Sequence, residues 1–228
     1  MKILLLILLF SFSFCKETKP NIDESIKNIS KPIDGLLPYF RGEILDPFWT
    51  KDKKTLPSDL RKLPEFEFVS QDNEKINLQK LKGKYTIVTF FYARCNGICP
   101  MITSNVKNLL PKIENTKELN VISISINPEV DTVEVLKKFR ESYKIENKNW
   151  YHLTGDKKTI YQIARDQFSA DVKIIQGVEN LTDFVHTENI FLLDKDFYLR
   201  GIYRAKGTGD LERFLIEYKT LQESESQK

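Results

Sequence analysis

The stretch YTIVTFFYARCNGICPMITSN, residues 85–105, decides the fold. Its first eight residues are a near-continuous run of β-branched and aromatic side chains, the pattern of a strand buried on both faces. Pro100 suits the first turn of a helix. After it, Ile102, Val106, Leu109, Leu110 and Ile113 fall at helical spacing, with Pro111 expected to bend that helix. Cys95 and Cys99 therefore sit at a strand-to-helix turn. Cys99 lies at or just before the helix start, where unsatisfied amides and the helix dipole favour a thiolate. Asn96, Gly97 and Ile98 separate the two cysteines, one residue more than in a thioredoxin redox pair. Gly97 is expected to let the loop curl back so that both sulfurs face one point. Such a loop can close into a disulfide or hold a soft metal, and spacing alone does not choose.

Working outward, FEFVS (66–70) reads as a strand, and VISISI (121–126) as a second central strand. Asp131 with Glu134 three residues on resembles a capping box ahead of Val135, Leu136, Phe139 and Tyr143. WYHLTG (150–155) is a short strand, and Asp156 caps a helix carrying Ile160, Ile163 and Ala164. A loop, QGVENLTD (176–183), precedes the strand VHTENIFLLD (185–194). The turn DKDF joins that strand to YLRGIYR in a hairpin, and Asp210 caps a last helix with Leu211, Phe214, Leu215, Tyr218 and Leu221. The succession predicts an α/β fold, a central mixed sheet with helices on both faces. A cysteine motif at a strand-to-helix turn in that layout points to the thioredoxin-like class.

The 228 residues, 41% hydrophobic and 29% charged, allow one globular domain with extensions. The net charge of +3 is spread as mixed-sign pairs, which gives no basic block for nucleic acid. Residues 1–15 combine an early Lys2 with a dozen apolar residues ending at Cys15. A spanning helix needs roughly 20 apolar residues, so this is read as a secretory or lipoprotein signal. Cys15 is the expected lipidation site, although Phe14 stands before it where a small residue is usual. Two acyl chains there would hold the protein stably at a membrane. Residues 16–35 read as a flexible tether, 36–63 as an irregular arm, 64–222 as the folded domain and 223–228 as a tail. The mature chain is expected outside the cytoplasm, where a cysteine pair must be protected, recycled or metal-bound.

The chain has only two histidines. His152, inside WYHLTG among aromatics, reads as a structural or surface residue. His186 opens a strand after a polar loop, which suits a third metal ligand and a plain loop-edge residue equally. Two thiolates and an imidazole would suit Cu(I) or Cu(II), and zinc would accept the same set with a fourth ligand.

With these residues in hand, the chain resembles the Sco/SenC family of thioredoxin-like, membrane-tethered copper proteins that assist cytochrome c oxidase assembly. The resemblance runs over residues 36–220. It is carried by LPYFRGEILDPFW, LKGKYTIVTFFYARCNGICPMIT, SISINPEVDTVEVLKKF, WYHLTGDKKTIYQIA and FVHTENIFLLDKDFYLRGIY. It implies that Cys95, Cys99 and His186 are copper ligands. It also implies that the copper-bearing subunit of the oxidase is the partner, with a copper donor protein possible upstream. Asp131 matches an acidic position of the family, for which a helix N-cap is a sufficient reading. Asn96 stands where many members have Pro, and Val185 where many have Asp, which alters the surroundings of His186 without removing a ligand. The expected function is a monomeric copper metallochaperone, anchored on the periplasmic side of a bacterial membrane and not an enzyme in the strict sense. The alternative is a thiol-disulfide oxidoreductase acting on the oxidase subunit's cysteines. A peroxide-reducing enzyme lacks its motif context around Arg94, and a purely structural disulfide leaves His186 without a role.

Overall fold

The computed structural model describes residues 30–170, 173–176, 182–185 and 187–226. Its centre is a strand, β5 (Tyr85–Phe91), in which every residue is buried. Parallel to it runs β6 (Leu119–Ser125), also buried throughout, and parallel to β6 runs β7 (Trp150–Thr154). On the other side of β5 lie two antiparallel strands, β10 (Asn189–Leu193) and then β11 (Leu199–Arg204). Beyond β7 come β3 (Phe68–Ser70) and β4 (Lys75–Ile76), both antiparallel. The mixed seven-stranded sheet thus has the order β11-β10-β5-β6-β7-β3-β4.

Side chains on these strands alternate between two cores, as period-two geometry requires. Val88, Phe90, Ile122 and Ile124 enter one, and Ile87, Leu119 and Val121 the other. The first core is closed by Leu136 and Phe139 of α3 (Val133–Ser142) and by Ile160 of α4 (Lys157–Gln162). The second is closed by Ile102, Val106 and Leu109 of α2 (Cys99–Leu109) and by Phe214, Tyr218 and Leu221 of α5 (Thr208–Ser226). A short helix α1 (Leu78–Leu81), capped by Asn77, precedes β5. Helices on both faces of a mixed sheet make this the thioredoxin-like α/β fold expected from the sequence.

Several local expectations change. Pro111 does not bend α2. The helix stops at Leu109 and tightens into a 3₁₀ turn over Leu110–Lys112, as a residue without an N–H favours. Asp156 does cap α4, its carboxylate accepting from the Thr159 N–H at 2.8 Å. Asp131, however, caps nothing: the α3 cap is Thr132, whose hydroxyl accepts from Val135 N. Asp210 lies inside the first turn of α5, which begins two residues earlier, and accepts from Arg204 N at 3.1 Å. The loop read over 176–183 is flanked by a hairpin. Its strands β8 (Lys173–Gln176) and β9 (Thr182–Val185) pair antiparallel, outside the main sheet. β10 begins only at Asn189, later than the strand read from 185.

Within the arm, β1 (Tyr39–Arg41) and β2 (Asp46–Phe48) form a small hairpin. It is held by Arg200 of β11. That guanidinium donates to the carbonyls of Pro38 (2.8 Å) and Leu37 (2.7 Å), pairs with buried Asp194 (3.0 Å) and lies 3.9 Å over the Tyr39 ring.

Candidate metal centre

The end of β5 delivers the chain into a tight turn closed by Cys95 N–H donating to Tyr92 O at 3.2 Å. Four residues later α2 begins at Cys99 itself, with Pro100 next and the Ile98 carbonyl accepting from Ile102 N at 3.0 Å. The turn and the helix start bring the two cysteines together: both are free thiols, both are buried, and Cys99 is hydrogen-bonded to Cys95. The Cys99 thiol is pushed well above its ordinary range, first by that hydrogen bond and then by burial. A backbone contact at Tyr92 pulls the other way and loses. Position at the helix N-terminus therefore does not make Cys99 a thiolate, contrary to the expectation from the dipole alone. Burial and that hydrogen bond outweigh it.

The glycine expectation also changes. Gly97 does not adopt the left-handed backbone, and a Cβ placed on it would meet only Cys95 Sγ, at 3.8 Å. The loop curls through the Tyr92 turn and the helix start, not through glycine-only geometry.

Around the pair the surroundings are partly apolar and partly polar. Tyr143, at the end of α3, lies close enough that its hydroxyl is raised by burial and by the neighbouring Cys99 and Cys95. Asp131 is buried, and its Oδ2 accepts from Ala93 N at 3.0 Å and from Ser125 Oγ at 2.5 Å. Its Oδ1 has no hydrogen-bond partner. Burial raises the Asp131 pKa, opposed by the Ser125 and Ala93 bonds and by the charge of Arg94. Sequence reading missed this contact with the cysteine turn. The signal in the sequence was the match of Asp131 to an acidic position of the family it resembles.

His152 lies on β7, fully buried, stacked on Trp150 at 5.6 Å and edge-on to Phe91 and Phe139. Neither ring nitrogen has a hydrogen-bond partner, and burial pushes its pKa down to about 3. Of the structural and surface readings, burial selects the structural one. His186 and Cys15 lie outside the described residues. Among the described residues, no group of three His, Cys, Asp or Glu side chains is placed to hold a metal. What the described part supplies is two sulfurs turned toward each other in a buried site, a donor pair suited to a soft cation.

Comparison with known proteins points to one family. The SCO1/SenC family model matches residues 55–213. The SCO1 protein homolog of Bacillus subtilis is 32% identical over 133 residues, covering 58% of this chain and 67% of that protein. A SCO1/SenC family lipoprotein from Bacillus anthracis superposes with a TM-score of 0.64 at 25% identity, covering 71% of this chain and 95% of that one. BsSco, described as a member of the Sco family of cytochrome c oxidase assembly proteins and as containing a disulfide switch, gives 0.60 at 27%, covering 70% and 93%. Copper-bound ScoI of Bradyrhizobium japonicum gives 0.57 at 25%, covering 69% and 98%.

Proposed function

The chain belongs to the SCO1/SenC family, and from that premise we propose that it is a copper metallochaperone assisting assembly of the copper centre of cytochrome c oxidase. One observation carries the reading: two buried thiols, hydrogen-bonded to each other, at the end of the central strand. A soft cation entering there displaces both thiol protons, and thiolates are the ligands that select copper. Cys95 and Cys99 are proposed as two ligands and His186 as the third. Copper supplies the thiolate-bound centre, in the Cu(I) or Cu(II) state, that is handed to the partner. The chain's own part is to exclude water around Cys99 and to keep the sulfurs paired. Copper-bound ScoI and the oxidase-assembly description of BsSco support the same reading.

A second reading rests on the same proximity. Sulfurs already within hydrogen-bonding reach can close a disulfide by exchange, passing two electrons and two protons to a disulfide of the oxidase subunit. The disulfide switch described for BsSco favours keeping it.

The proposed location is extracytoplasmic, with Cys15 lipidated and the domain monomeric. The B. anthracis lipoprotein supports the anchor. No described helix is long and apolar enough to cross a membrane.

The test is anaerobic titration of the reduced domain with Cu(I) and Cu(II), wild type against His186→Ala. Equimolar binding that is strongly weakened in the variant supports the three-ligand chaperone. Equal binding in both proteins, or none in either, removes His186 from the site and favours thiol-disulfide exchange.

A further inference from the structure

Asp131 is a carboxylate with no evident structural need to be where it is. It does not cap α3, since Thr132 does. It is buried with one oxygen unpartnered, an arrangement that costs stability and calls for a reason. Its other oxygen closes a continuous run of hydrogen bonds. Asn127 N–H donates to Ser125 Oγ at 3.0 Å, Ser125 Oγ–H donates to Asp131 Oδ2, and Ala93 N–H donates to the same oxygen. Ala93 lies inside the turn whose closing bond is Cys95 N–H to Tyr92 O. Asp131 itself is fixed by its own N–H donating to Asn127 O at 2.9 Å. The run therefore anchors the cysteine turn to the end of β6, across from the helix that carries Cys99.

We infer that Asp131 is a positioning residue for the cysteine pair: its Oδ2 ties the turn bearing Cys95 to β6 and so sets the separation of the two sulfurs. The consequence for copper rests on the function proposed above, whereas the consequence for disulfide formation does not. A tether that keeps the turn in place raises the effective concentration of one sulfur at the other. Losing both bonds with the side chain is enough for an order of magnitude in such an equilibrium.

The test is the dithiol–disulfide equilibrium of the copper-free protein in glutathione buffers. Oxidation forms the Cys95–Cys99 bond, and two electrons and two protons pass to glutathione disulfide, releasing two glutathione thiols. Asp131→Ala removes the tether and is expected to shift the equilibrium about tenfold toward the dithiol, about 30 mV for this two-electron couple. Asp131→Asn keeps one carbonyl oxygen able to accept both bonds and is expected to stay within about twofold of wild type. Ser125→Ala frees one side of the tether and is expected to shift the same way by less, so the test survives if Asp131→Ala does not fold. Asp131→Ala and Ser125→Ala both matching wild type would overturn the inference. So would Asp131→Asn shifting as far as Asp131→Ala, since charge and not the tether would then be responsible. A parallel Cu(I) titration separates the two claims. A wild type that binds no copper defeats the chaperone reading and leaves the redox result standing.

Discussion

Cys99, the first residue of α2, is hydrogen-bonded to Cys95, four residues earlier and on the far side of a loop. The bond places a thiol proton between two buried sulfurs. It also makes the pair a ready acceptor for whatever can replace that proton.

The loop between them is expected to tolerate a side chain. A Cβ on Gly97 reaches Cys95 Sγ only at ordinary contact distance, and its backbone is not left-handed. Gly97→Ala should change stability by no more than about 0.5 kcal/mol and leave copper stoichiometry unchanged. Denaturant unfolding and a copper titration check both. A loss of copper binding would mean that the loop has to flex to load.

The stability of the domain should depend on acid through His152. Its pKa in the fold is depressed to about 3, against 6.5 when exposed. The unfolded chain thus binds the proton first as pH falls. The contribution is fully present above about pH 6.5 and is lost progressively down toward pH 3, at up to about 1.4 kcal/mol per pH unit. Because neither ring nitrogen is hydrogen-bonded, His152→Phe breaks no polar contact and should flatten this slope. Chemical denaturation between pH 7 and 4 measures it; parallel curves for the two proteins would rule the histidine out as the cause.

The arm should be fastened by one side chain. Arg200 pairs with fully buried Asp194 and holds the carbonyls of Leu37 and Pro38. Arg200→Ala leaves a buried carboxylate uncompensated and should cost about 3–5 kcal/mol. Arg213→Ala, removing half-exposed pairs with Asp210 and Glu217 on α5, should cost at most about 1 kcal/mol. Thermal unfolding of the two variants side by side tests the contrast.

The parts of the fold that the sequence made legible are those in which one pattern had one meaning. Seven buried residues of β5 appear as an unbroken β-branched and aromatic run because both faces of that strand are covered. Asp156 could be read as a cap because no neighbouring residue competes for the role. Asp131 was misread because Thr132, one residue on, fits the same signature, while the partners that hold Asp131 are at positions 93 and 125. No local pattern carries that information. The strands β8 and β9 were missed because four-residue segments such as KIIQ and TDFV, only five residues apart, are too short to show a period that separates strand from loop. Proximity of the two cysteines was legible from the strand-to-helix turn. That they are buried and hydrogen-bonded to each other, with the Cys99 thiol raised and not lowered at the helix start, depends on burial by elements distant in sequence.

The central claim is that copper is held by Cys95, Cys99 and His186. The most direct measurement is X-ray absorption at the copper edge on the reduced protein loaded with equimolar Cu(I), wild type beside His186→Ala. The account predicts two sulfur scatterers and one imidazole nitrogen, with the nitrogen lost in the variant. A first shell containing no sulfur, or one identical in the two proteins, would contradict it.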